Sequence, residues 1–151
     1  MQAFPIAPAS LKAVWVFLPA IAIPVVIIPI IILAVISGTK ARFEVSQAGL
    51  RISGDFYGRT IPIADIRGGA AKRVDIGVSS EFQPVRRTLG TGLPGYRAGW
   101  FRLRDGEKAL AYITDSAKAV YVPTRTDFAI LLTPDDPDGF LAAIREVAPG
   151  Q

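Results

Sequence analysis

Between Ala13 and Ile36 the chain runs for 24 residues without a charge, AVWVFLPAIAIPVVIIPIIILAVI. Coiled as a helix, such a run extends roughly 36 Å, against a hydrocarbon core of about 30 Å. A helix apolar on every side leaves a domain this small too little chain to cover it. The run therefore predicts a single transmembrane helix over residues 13–36, preceded by a short tail, 1–12. A cleaved signal peptide is the competing reading. It is disfavoured because the run exceeds the usual apolar region of about 7–15 residues. Only a weak cleavage signal, Val35-Ile36-Ser37, precedes Gly38. Pro19, Pro24 and Pro29 each remove a backbone donor, freeing the carbonyls of Trp15, Ala20 and Val25. Two readings stay open: a tolerated, slightly irregular anchor, or an anchor packed against a partner helix that satisfies those carbonyls.

Beyond the run the charge is uneven. Lys40 to Arg104 carries 12 Lys/Arg against 5 Asp/Glu, and Asp105 to Gln151 carries 4 against 8. The half beside the anchor is therefore basic. Lys40 and Arg42 follow the span, whereas only Lys12 and the amino terminus precede it, so the positive-inside rule places the C-terminal domain in the cytoplasm by a small margin. Basic groups close to an anionic leaflet gain about 1 kcal/mol each. Nucleic acid is not expected as a partner. The basic residues are interleaved with strand positions rather than clustered on one helix, and no nucleic-acid motif is present. There is no Cys and no His, which excludes disulfides, thiolate nucleophiles, Cys/His zinc sites and His-based triads.

After Gly38 the hydrophobic period becomes two. Phe43/Val45, Leu50/Ile52, Ile61/Ile63, Val74/Ile76/Val78 and Phe101/Leu103 are expected inward, with Gly49 as a hairpin turn and Asp105-Gly106 as a tight turn. KALAYI, AVYVPT and FAILLT continue as strands. Glu81 to Gly95 reads as a long non-periodic loop. The tail TPDDPDGFLAAIREV then switches to helical period, with Thr133 as cap and Phe140, Leu141, Ile144 and Val147 on one face. About seven or eight short strands followed by one helix, with no βαβ alternation, predict a mainly β fold. The expected architecture is a partly open barrel or two-sheet roll capped by a C-terminal helix.

Gly90, Gly92 and Gly95 spell G-x-G-x-x-G, the spacing of a dinucleotide fingerprint. That chemistry needs a helix N-terminus after the glycines to hold the pyrophosphate. Strand-like YRAGWFRLR follows instead, so the glycines are read as shaping a loop. Asp135, Asp136 and Asp138 suit helix capping better than a hard-metal site. No catalytic residue, cofactor or metal is expected. An enzyme without His or Cys needs carboxylates or lysines gathered in a pocket, and no such grouping stands out.

Pro94, Gly95, Tyr96, Gly99 and Phe101, then Thr114-Asp115, then Thr133, Pro134, Asp136, Pro137 and Phe140 resemble the motifs of the bacterial pleckstrin-homology-like (PH-like) domain family. The resemblance covers roughly Thr39 to Val147, and the domain is placed at 39–148. It implies a PH-like barrel, partly open, often accompanied by membrane spans, without implying a common ligand. The expected function is a membrane-anchored, non-catalytic binding or scaffolding module at the membrane surface. Arg86, Arg87, Tyr96 and Arg97 are its candidate contacts with a protein partner or anionic lipid headgroups. The alternative is a structural subunit of a membrane complex, packing through the proline-rich anchor.

Overall fold

The computed structural model describes residues 21–33, 41–54 and 56–149. The chain divides into two compact units, Met1–Ile36 and Ser37–Gln151. In the first, residues 21–33 form helix α1, which continues through Pro24 and Pro29. All ten of its large aliphatic side chains, from Ile21 to Leu33, are exposed. This helix is about 20 Å long at 1.5 Å per residue. No helix among the described residues is long and apolar enough to cross a membrane. The expected span, 13–36, extends outside the described residues, and the tail, 1–12, lies wholly outside them.

In the second unit, β1 (Arg42–Ser46), β2 (Gly49–Ser53) and β3 (Thr60–Pro62) form a three-stranded antiparallel sheet. Period two works here as expected: Phe43 pairs with Ile52 and Val45 with Leu50 across one face. The turn itself is Gln47-Ala48, and Gly49 is the first residue of β2 rather than the turn. The chain then passes through 3-10 turns at Ile63–Asp65 and Gly68–Ala70.

The second sheet has six strands in the order β4-β8-β9-β7-β6-β5. They are β4 (Lys72–Arg73), β5 (Pro84–Leu93), β6 (Tyr96–Leu103), β7 (Lys108–Ile113), β8 (Val120–Val122) and β9 (Ala129–Leu132). All neighbours are antiparallel except β7 and β9, which run parallel. Among the described residues nine strands thus replace the expected seven or eight, and the two sheets do not close into a barrel. The RVDIGV run is only partly a strand. β4 ends at Arg73, Gly77 N–H donates to Asp75 Oδ1 at 2.9 Å, and this turn leaves Val78 exposed rather than inward.

Each face of the larger sheet carries a buried apolar cluster. One face presents Tyr96, Ala98, Leu110, Tyr112, Ile130 and Leu132 to the smaller sheet's Leu50, Ile52 and Ile61. The other presents Phe101, Leu103, Ala111 and Leu131 to Ile76, Val74 and Phe82. Phe101 and Leu103 are thus buried, but beneath the 74–82 segment rather than between the sheets. Each fully buried Leu or Ile stabilises the fold by about 1.5–3 kcal/mol through burial alone.

Helix α2 (Pro137–Val147) covers the inter-sheet core with Leu141 and Ile144, both buried. Its cap is Asp136, whose Oδ1 accepts from Gly139 N–H at 3.0 Å, and not the expected Thr133. Thr133 instead ties β9 to β7, accepting from Thr114 N–H at 2.9 Å and donating to the Tyr112 carbonyl at 3.3 Å. Pro137 at the first helical position and Asp138 in the first turn follow the usual logic of an absent donor and a favourable dipole. Asp136→Ala is expected to cost about 1 kcal/mol, measured by urea unfolding, while Asp136→Asn retains nearly full stability because Asn caps equally well.

Candidate functional site

The glycine-rich segment folds as a hairpin rather than a loop. Gly90 and Gly92 lie within β5, Pro94-Gly95 makes the turn, and β6 follows directly. No helix N-terminus is offered, so the geometry required for a pyrophosphate is not formed. The glycines serve close packing instead. Gly90 pairs with Gly99 across the ladder. A Cβ on Gly99 would stand 2.5 Å from the Leu89 carbonyl oxygen and 2.6 Å from Gly90 Cα. The β5 ladder carries register irregularities between Pro84 and Arg86 and between Arg87 and Leu89, which bend this edge strand.

The hairpin separates the four candidate contact residues. Arg87 and Arg97 come together, lining an open groove of about 500 Å³ with Gly92 and Phe101. Gly92 makes room for the guanidinium, since Arg87 Nη1 lies 3.2 Å from where its Cβ would sit. Tyr96 points to the other face and is buried. There it lines a cleft of about 520 Å³ with Arg42, Tyr112, Asp135 and Asp136. Arg86, one residue before Arg87, also takes the opposite face and pairs in register with Arg102.

Arg86 belongs to a cluster that sequence reasoning did not assemble. Arg86 faces Arg102 and Arg102 faces Lys108, so three cations form one row across β5, β6 and β7. The next row places Leu89 beside Trp100. Lys108 Nζ lies 4.5 Å and Arg59 Cζ 4.9 Å from the Trp100 ring centroid. Phe128 packs edge-on against the same ring at 5.0 Å. Each cation–π contact contributes about 0.5–1 kcal/mol at an exposed site, enough to orient these long side chains. Lys108 also pairs with Asp127 at 3.8 Å, and Arg102 Nη1 donates to the Gly106 carbonyl at 2.7 Å. The alternation of Trp100 and Arg102 in β6 was a visible signal. Arg59 and Lys108 arrive from distant segments, and only the fold brings them in.

The acidic run is occupied structurally. Asp136 caps α2, Asp138 pairs with Arg73 at 3.4 Å, and Asp135 lies 3.9 Å from Lys118 Nζ. No group of three or more acids among the described residues is placed to hold a metal ion. On the outer face, burial and then a 2.7 Å hydrogen bond to Glu107 hold the Tyr121 phenol protonated well above the ordinary tyrosine range.

An unclosed two-sheet roll ended by one helix defines a small, mainly β module. The chain matches the bacterial PH domain family over residues 41–148, and it belongs to that family. Neither the curated proteins nor the solved structures contain a match to it.

Proposed function

We propose that the chain is a non-catalytic PH-like binding or scaffolding module, held at a membrane by the apolar segment 13–36, with its C-terminal domain in the cytoplasm. It contacts a protein partner or anionic lipid headgroups at the membrane surface. The observation that carries this reading is α1, whose ten large aliphatic side chains are all exposed. A contiguous apolar surface of that kind is unfavourable in water and is matched by a lipid or protein environment. Family membership supports the binding role, because PH domains are generally binding modules.

The full chain is expected to stay in the membrane fraction through alkaline extraction, and release into the supernatant would sink the anchor. Because the chain has no Cys, a single Cys introduced at Gln151 reports orientation. Resistance to a membrane-impermeant thiol reagent on intact cells is the expected result. Labelling from outside would overturn the cytoplasmic assignment. A stoichiometric membrane-protein partner recovered by cross-linking would favour the subunit reading over the surface-binding one.

A further inference from the structure

We propose that the cationic face around Trp100 is a docking surface for an anionic lipid bilayer, with Phe56 as the side chain that enters the interface. This deepens the membrane-surface reading above and rests on it. Arg86, Arg102 and Lys108 stand side by side on three adjacent strands, and Arg59 joins them over Trp100. Like charges directly opposite one another in a sheet repel. Among the described residues Arg86 has neither an ion pair nor a side-chain hydrogen bond, and the one ion pair at this face is the exposed Lys108–Asp127 contact. An external anionic surface supplies the missing counter-charge.

The apolar side chains point to a bilayer rather than to an acidic peptide. Phe56 is fully exposed in the loop between β2 and β3, three residues before Arg59. The Ile52 N–H to Arg59 carbonyl hydrogen bond, 2.8 Å, closes that loop. Leu89 is 62% exposed on the same face as Trp100. Exposed aromatic and aliphatic groups beside cations suit the headgroup boundary, where rings lie below the phosphates that the cations hold. A peptide adding to the β5 edge meets two ladder irregularities, which make that edge a poor template. Trp100 is held by Phe128, Arg59 and Lys108, so the surface is ordered before it meets its partner.

The test uses the full chain carrying Trp15→Phe, which leaves Trp100 as its single tryptophan. The chain is incorporated into vesicles of phosphatidylcholine, or of phosphatidylcholine with a minority of phosphatidylglycerol. Acrylamide quenching of Trp100 is then followed as salt is raised. Quenching is expected to fall severalfold on the anionic vesicles and to recover at high salt, as screened contacts do. Arg86→Gln/Arg102→Gln is expected to weaken the anionic-lipid dependence by about fivefold per cation removed, and Phe56→Ser to abolish most of the shielding. Arg73→Gln/Lys118→Gln removes the same charge elsewhere and is expected to leave the shielding intact.

Equal quenching on both vesicles, or equal effects of the two double variants, would overturn the proposal. Loss of shielding only in Arg87→Gln/Arg97→Gln would assign docking to the opposite face and overturn it too. So would shielding by polyglutamate with none by anionic vesicles. Circular dichroism of each variant checks that the fold is retained. Resistance to alkaline extraction from phosphatidylcholine vesicles reports the anchor separately. If the anchor fails, the chain is added from outside and the same composition-dependent shielding decides the surface.

Discussion

Gly99→Ala is expected to destabilise the folded domain by roughly 3 kcal/mol. Two costs add. At φ +120° the backbone of Gly99 lies in a region that side-chain-bearing residues rarely adopt. A Cβ there also meets backbone atoms of Leu89 and Gly90 at 2.5–2.6 Å, and backbone in a paired ladder cannot rotate out of the way. Gly90→Ala meets the mirror problem, with the Ala98 carbonyl oxygen 2.3 Å from the new methyl. Gly92→Ala is the internal control. Its nearest neighbour is the mobile end of Arg87 at 3.2 Å, so the cost is expected to stay below about 1 kcal/mol. Thermal unfolding of the full chain in mild detergent reads the difference as a drop of at least about 10 °C for Gly99→Ala. A wild-type midpoint for that variant would mean that β5 and β6 are not paired as described. The glycines of the apparent nucleotide fingerprint thus divide by backbone approach and not by phosphate contact.

Ile144→Ala is the second large effect, expected at about 2–5 kcal/mol. Ile144 is fully buried and, with Leu141, forms the part of α2 that enters the inter-sheet core. Removing its outer carbons leaves a cavity whose walls belong to two sheets and a helix, and these cannot all collapse inward. A helix of this length is marginal in isolation, so loss of docking also melts the helix. Far-UV and near-UV signals are expected to fall together on heating, at a lower temperature than in the parent chain. Val147→Ala, at a half-buried position on the same face, is expected to cost less. A loss below about 1 kcal/mol for Ile144→Ala would show that α2 is not docked there.

Much of the fold was legible because its elements are local. Phe43/Val45 and Leu50/Ile52 alternate as paired strands must, and Pro137, Asp138 and the Leu141/Ile144 spacing announce α2. The failures share a cause, since each depended on a partner distant in sequence. Glu81 to Gly95 has no alternation because Pro84–Leu93 is an edge strand with irregular register, packed through glycines rather than apolar side chains. Val74, Ile76 and Val78 alternate like a strand, yet only Lys72 and Arg73 find a ladder partner, in β8. Thr133 looked like a cap from its neighbours, but its hydroxyl is taken by Thr114 and Tyr112 of the β7 region. For the candidate contacts, single-residue spacing could not show that Arg86 and Arg87 lie on opposite faces. Nor could it show that Arg59 would stack on Trp100.

The position of β9 also governs how the chain can be made. β9 is the last strand to be synthesised, yet it lies in the interior of the six-stranded sheet, between β8 and β7. Until residues 129–132 leave the ribosome, the β5-β6-β7 meander and the β4-β8 pair each present an open inner edge, and no backbone ladder joins them. Open edges of this kind invite pairing with other chains. The late strand also joins segments far apart in sequence, which slows folding. A nascent chain of this protein therefore passes through an interval of aggregation hazard that ends only when its final strand slides between two preformed halves. Truncation before Ala129 would make that interval permanent.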